Sequence, residues 1–197
     1  MTTETVSELR AQIEREMEPE TLAHVRETAE LARKLAAAHG VDPDRAERAA
    51  LLHDIADRYS DRELLILAER YGIPINLTEA RIPKLLHGVV GAEILRREWG
   101  ITDEELLDAV RYHISGGPRM GKLAKILFVA DKIEPSRDRH YGGLDPVREL
   151  ASEDLDQAML KLYAWRIDEL VAAGRPIDEN LVRARNQLIE RTLAARR

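Results

Sequence analysis

The 197-residue chain has no cysteine, a single phenylalanine and only two tryptophans. Without cysteine there are neither disulfides nor thiolate metal ligands, so His, Asp and Glu are the strong metal donors that remain. With aromatics at 4%, the core must be built mainly from Leu, Ala, Ile and Val. No apolar run approaches the length of a membrane span. The opening "MTTETVSELR" lacks the basic-then-apolar pattern of a secretion signal, so a cytoplasmic location is expected. Positive charge is also short. The formal charge of −6 argues against a general nucleic-acid binder, whose affinity depends on many Lys and Arg on one surface. What is present, 44% hydrophobic and 34% charged residues, suits one globular domain with a well-solvated surface.

The punctuation is helical throughout. Glu18-Pro19 opens a segment running to "AAAHG", where Gly40 is a stop. Asp42-Pro43 supplies an N-cap and a proline at the first helical position, opening a helix expected to carry the pair His53-Asp54. Ser60 with Glu63, and Thr102 with Glu105, read as capping boxes. "GIPINLTEARIP" reads as a connection, followed by a helix from about Lys84 to Trp99. A further helix over roughly Lys122–Ile133 is limited by Pro135. "SRDRHYGGLDP" then reads as a loop turning at Gly142-Gly143. Two last helices are expected at about 153–173 and 179–195, joined by "GRPID". No convincing alternating strand is present, so the expected class is all-α.

Six histidines occur, at positions 24, 39, 53, 87, 113 and 140. His39, before Gly40, and His140, in a polar loop, read as solvated. The other four fall on apolar faces. His24, Thr28, Leu31 and Leu35 have helical spacing, so His24 faces the core. His113 ends the inward series Leu106, Ala109/Val110; His87 follows Leu85-Leu86; Asp131 sits one turn beyond Leu127. The pair His53-Asp54 closes the apolar run "RAALL". Burying such groups singly sacrifices their hydration. A transition-metal ion approached by neutral imidazole and carboxylate from several helices compensates that cost. His24, His53, Asp54, His87, His113 and Asp131 are therefore a candidate metal constellation, set against six separately satisfied core groups. Between Arg111 and Arg139 basic residues outnumber acidic ones, which suits an anionic substrate. Lys132 and Arg137, adjoining Asp131, are candidate phosphate contacts, whereas Lys122 and Lys125 read as a solvated face.

This order of residues resembles the HD-domain metal-dependent phosphohydrolases. "LLHGVVGAEIL", "RYHISGGPRM", "FVADKIEPSR" and "RARNQL" are more specific than the His-Asp pair. They resemble the YqeK group, bacterial HD-domain enzymes that cleave diadenosine tetraphosphate symmetrically to two ADP. The similarity covers essentially residues 20–190. It implies one all-α HD-domain bundle with the metal site between helices. In that division 1–19 is an N-terminal helical extension, 20–135 the metal-binding core, and 136–197 C-terminal helices packed on the same domain. It further implies that His24, His53, Asp54 and Asp131 hold a first divalent transition-metal ion, iron ahead of manganese or cobalt. His87 and His113 would hold a second ion or touch substrate phosphates. Arg137 matches the family's arginine after Glu-Pro and would pair with phosphate oxygens. Lys132 and Gly88 are further expected substrate contacts. Ile177, in "GRPID", either closes over a nucleoside or belongs to an ordinary turn. Two departures stand out. Asp57 occupies the place of the lysine in the common His-Asp-x-x-Lys pattern. "ISGGPR" places Gly117 where the family's Thr-Gly-Arg would run, and delays the arginine to Arg119.

The implied chemistry is attack of a metal-activated water on a central phosphorus of the tetraphosphate. Lys132 and Arg137 would stabilise the developing charge, and Asp54 would bridge two ions or orient the water. The alternatives are another HD-superfamily nucleotidase or phosphodiesterase, and a catalytically weak nucleotide-sensing module. The expected partner is a dinucleoside polyphosphate or other nucleotide, with no general nucleic-acid or membrane binding. Exposed faces of the last helices are a candidate homodimer surface.

Overall fold

A computed structural model describes residues 6–16, 19–139 and 143–195. Among them are eleven α-helices, two short 3-10 segments and no strand. The helices are α1 Val6–Glu16, α2 Pro19–Ala38, α3 Pro43–Leu52, α4 Asp61–Tyr71, α5 Leu77–Arg81, α6 His87–Arg97, α7 Glu104–Tyr112, α8 Lys122–Ile133, α9 Asp145–Glu153, α10 Leu155–Ala172 and α11 Glu179–Ala195. No helix among the described residues is long and apolar enough to cross a membrane.

The all-α expectation holds, and α8 is the centre of the bundle. Nine of its twelve residues are buried, so its apolar character on every side is satisfied only by surrounding helices. α2, α3, α7 and α10 all pack against it. Ala29, Ala32 and Ala36 of α2 and Ala46, Ala49 and Ala50 of α3 are buried to within 1%. Small side chains let these two backbones approach closely. α1 packs on α3 through Leu9 and Ile13, while residues 1–5 and 17–18 of the expected extension lie outside the described residues.

Several expected boundaries shift. α3 stops at Leu52, so His53-Asp54 lies just beyond the helix, in tight turns closed by Ile55 N to Leu52 O and Asp57 N to Asp54 O. The expected helix from Lys84 starts at His87, preceded by a 3-10 turn, Pro83–Leu86. α7 is capped by Asp103, whose side chain accepts from Glu105 N and Leu106 N, rather than by Thr102. Two helices were not expected, α5 in a segment read as a connection and α9 in one that begins at the end of the expected loop. In α5 the sequence "NLTE" is a capping box, Asn76 with Glu79. In α9, Pro146 stands in the first turn. His39 is also not solvated: its Nε2 lies 2.7 Å from the Ala151 carbonyl and ties α2 to α9. Lys125 is likewise partly buried and paired with Asp156. His140 and Gly142 lie outside the described residues.

Candidate metal centre

The histidines are placed by helix ends. The last turn of a helix leaves carbonyls without partners. His53 Nδ1 lies 2.7 Å from Ala50 O, His113 Nδ1 2.7 Å from Val110 O, and His87 Nδ1 2.7 Å from Lys84 O. Each imidazole thus caps the turn that precedes it. A carbonyl oxygen only accepts, so Nδ1 carries the proton and Nε2 points away with a lone pair. His24 stands inside α2, where backbone carbonyls are committed, and turns Nδ1 to Glu134 Oε1 at 2.9 Å.

The four Nε2 atoms converge on two carboxylates. Asp54 Oδ2 lies 3.2 Å from His53 Nε2 and 3.8 Å from His24 Nε2. Its Oδ1 lies 3.3 Å from His87 Nε2 and 3.4 Å from His113 Nε2. Asp131 Oδ1 completes the first half at 3.1 Å from His24 Nε2 and 3.9 Å from His53 Nε2. The structure therefore brings together all six candidates, with one oxygen of Asp54 facing each half. His24, His53 and Asp131 offer donor atoms within 4.8 Å of one another, as do His53, Asp54 and His113.

Two observations fit this set to a cation. His53 Nε2 is buried with no hydrogen-bond partner. The Nε2 atoms of His87 and His113 face each other at 3.0 Å, lone pair against lone pair, beside Asp54 Oδ1. A positive centre between them removes that repulsion, and imidazole with carboxylate is the donor chemistry of divalent transition metals.

The charges agree. Desolvation works against the Asp54 carboxylate, but the imidazoles of His53, His113 and His87 around it hold it well below the usual range. Asp131 is held low in the same way, against desolvation, by Lys132 and His24. Burial pushes His113 down to about 4. Burial opposes protonation of His24 too, yet hydrogen bonds to Asp131 and Glu134 raise it to about 9.

Cations flank this cluster. Arg137 Nη2 donates to Asp131 Oδ1 at 2.9 Å, and its Nε to Asp131 O at 2.9 Å. Lys132 Nζ contacts Asp131 Oδ2 at 3.1 Å and the His113 carbonyl, above the Phe128 ring; burial lowers its pKa. Asp57 pairs at 2.9 Å with Lys84 from the 3-10 turn, so a cation does stand beside position 57, carried by another segment. The cluster opens into a cavity of about 560 Å³ lined by His24, Asp54, His87, His113, Asp131, Lys132 and Arg137 and also by residues of α10.

Two expected contacts are not in that cavity. Gly88 packs on α7: a Cβ there would lie 3.1 Å from the Val110 and Arg111 carbonyls, so it serves helix approach rather than substrate. Ile177 is packed against the core, and its neighbours Arg175, Pro176 and Asp178 line the cavity instead. Sequence reasoning missed Glu134, although "IEPSR" was in view, and missed Trp165, Arg166 and Arg175, which stand on an unremarkable helix and turn.

An all-α bundle with buried histidines and aspartates at the floor of an open cavity is the construction of a metal-dependent hydrolase. The HD domain model matches residues 21–136, and the chain belongs to the HD domain family. Binding of a divalent metal comes with that membership. The chain is 40% identical over 144 residues to a Bacillus subtilis protein named symmetrical bis(5'-nucleosyl)-tetraphosphatase, covering 73% of this chain and 76% of that one. A Halalkalibacterium halodurans protein of the same name is 36% identical over 164 residues, covering 81% and 84%. A solved structure from Clostridium acetobutylicum, described as a predicted HD superfamily hydrolase involved in NAD metabolism, superposes with a TM-score of 0.87 at 30% identity. The match covers 94% of this chain and 97% of that one.

Proposed function

We propose that this protein hydrolyses diadenosine tetraphosphate at its centre, giving two ADP, with iron as the ion at the six-residue cluster. The observation that carries the reading is the pair of facing Nε2 atoms beside Asp54, at the floor of a cavity flanked by Lys132 and Arg137. The names of the relatives add the substrate class. His24, His53, Asp54 and Asp131 would hold one ion, and His87 and His113 a second ion or a phosphate. When bound, such an ion acidifies a water and polarises the phosphoryl oxygens.

The chain's own groups supply the rest. Asp54 and Asp131, held ionised, act as acceptors and not as proton donors. Two of the three N–H donors of Lys132 are used, on His113 O and Asp131, which leaves one for a phosphate oxygen. Arg137 is anchored through Asp131 and one-third exposed, so its planar fork can also take a phosphoryl oxygen. The water oxygen bonds to one of the two central phosphorus atoms. The bridging oxygen leaves with the other half, and each product is a nucleoside diphosphate.

Product analysis on the metal-loaded protein tests this. ADP alone is expected from diadenosine tetraphosphate. ATP plus AMP would overturn symmetric cleavage, and inorganic phosphate released from mononucleotides would favour a nucleotidase.

A further inference from the structure

The proposed chemistry uses only one wall of the cavity. Further lining comes from α10 and the turn to α11, a second wall that includes Leu162, Trp165, Arg166, Leu170, Arg175 and Pro176. Trp165 is half-buried, packed against the core yet lining the cavity. Arg166 is held to Glu169 at 2.6 Å. Arg175 is exposed, and its guanidinium has no ion pair or hydrogen bond among the described residues. On the same wall, Tyr163 and Asp178 each keep a buried polar atom, Oη and Oδ2, without a partner. An indole and an uncommitted guanidinium that share a cavity with a metal cluster match the two parts of a nucleotide. A base has a π-face for the indole, whatever its sequence identity. A phosphate takes the guanidinium fork in a bidentate contact.

We propose that this wall is the nucleotide-holding half of the site, with the Trp165 indole stacked on a purine base and Arg175 paired with a phosphate of the same nucleotide. The proposal rests on the cluster being a phosphohydrolase centre. It also gives a reason for a central cut: a base anchored on α10 sets which phosphorus reaches the cluster.

The test begins with tryptophan emission of the metal-loaded protein titrated with ADP. The chain has two tryptophans, and Trp99 is not among the lining residues, so a saturable change should come from Trp165 and vanish in Trp165→Phe. In steady-state assays with diadenosine tetraphosphate, Trp165→Leu should raise KM about tenfold or more, as the loss of one stacked base implies. Trp165→Phe, which keeps a ring, should stay within about threefold of the parent. Arg175→Ala, at an exposed position that does not endanger the fold, should also raise KM about tenfold. A parent-like emission change in Trp165→Phe, or unchanged KM in both Trp165→Leu and Arg175→Ala, would overturn the proposal. The ADP titration needs no turnover. A parent protein that binds ADP but leaves the tetraphosphate intact would therefore sink the proposed reaction while the subsite is still decided.

Discussion

Glu134 Oε1 lies 2.9 Å from Nδ1 of His24, joining the turn after α8 to α2. The other three cluster histidines lean on the backbone of the turn before them. His24 sits within a helix, where no carbonyl is spare, and so depends on a side chain from elsewhere. Glu134 is itself fully buried; its hydrogen bonds with His24, Glu27, Ser136 Oγ and Ser136 N outweigh desolvation and hold its carboxyl below the usual range. It is a positioning residue for His24.

Glu134→Ala should therefore weaken metal affinity by about 10- to 100-fold, the usual effect of removing a carboxylate behind a ligating histidine. Competition against a chelator measures it, with circular dichroism as the control for fold. An affinity equal to the parent's would remove Glu134 from this role.

Asp54 faces both halves of the cluster, through different oxygens. Asp54→Ala should lose bound metal and hydrolysis together while helical content stays nearly unchanged, because His53 and His113 remain anchored to their own carbonyls. Metal analysis beside circular dichroism decides the matter. Metal retained with the fold lost would contradict the site.

Much of this was legible in the sequence because periodicity reports burial. The apolar spacing around His24, His113 and Asp131 marked them as inward, and the absence of cysteine left only nitrogen and oxygen donors. α8 ran where its pattern placed it, between Lys122 and Ile133. The device that aims the histidines was not legible. His53, His87 and His113 each close a turn that ends a helix or precedes one, and a helix boundary is where local pattern says least. α5 was missed because five residues carry little periodicity, and α9, though it has an apolar face, because Gly142-Gly143 before it and Pro146 in its first turn read as a loop. The α10 wall was missed because Trp165 and Arg175 gain meaning only from the cavity that tertiary packing creates.

Metal uptake should release protons. In the metal-free protein, burial disfavours the His24 cation, but bonds to Asp131 and Glu134 raise it to about 9, so His24 is protonated at neutral pH. His113, pushed by burial to about 4, is already neutral there. His53 is raised as well, its burial outweighed by Asp54 and Asp131. At least one proton must then leave for the Nε2 atoms to ligate, and apparent metal affinity should rise by at least about tenfold per pH unit between pH 7 and 9. The metal-free fold has the opposite dependence. The stability that His24 adds is fully present below its unfolded pKa, about 6.5, and is lost as pH rises through about 9. Calorimetric metal titrations in buffers of different ionisation enthalpy count the proton; a heat independent of buffer would sink the idea.

The departure at "ISGGPR" has a steric cause, and a stability measurement exposes it. At Gly116, with φ +79°, a Cβ would lie 1.9 Å from the Tyr163 hydroxyl; at Gly117 it would lie 2.2 Å from the Tyr112 ring. The loop passes between two tyrosines of different helices, and neither position has room for any side chain. Gly174 has a similar φ, +61°, but a Cβ there would meet nothing within 4 Å. Gly174→Ala should cost only backbone strain, about 1 kcal/mol. Gly116→Ala adds overpacking against a buried ring to that strain, for a total of about 2–4 kcal/mol. At this chain length each kcal/mol lowers Tm by about 2–4 °C. Thermal melts of the two variants should therefore differ by several degrees, with Gly116→Ala the lower. Equal Tm values would mean that Tyr163 yields freely and that space does not require glycine at 116.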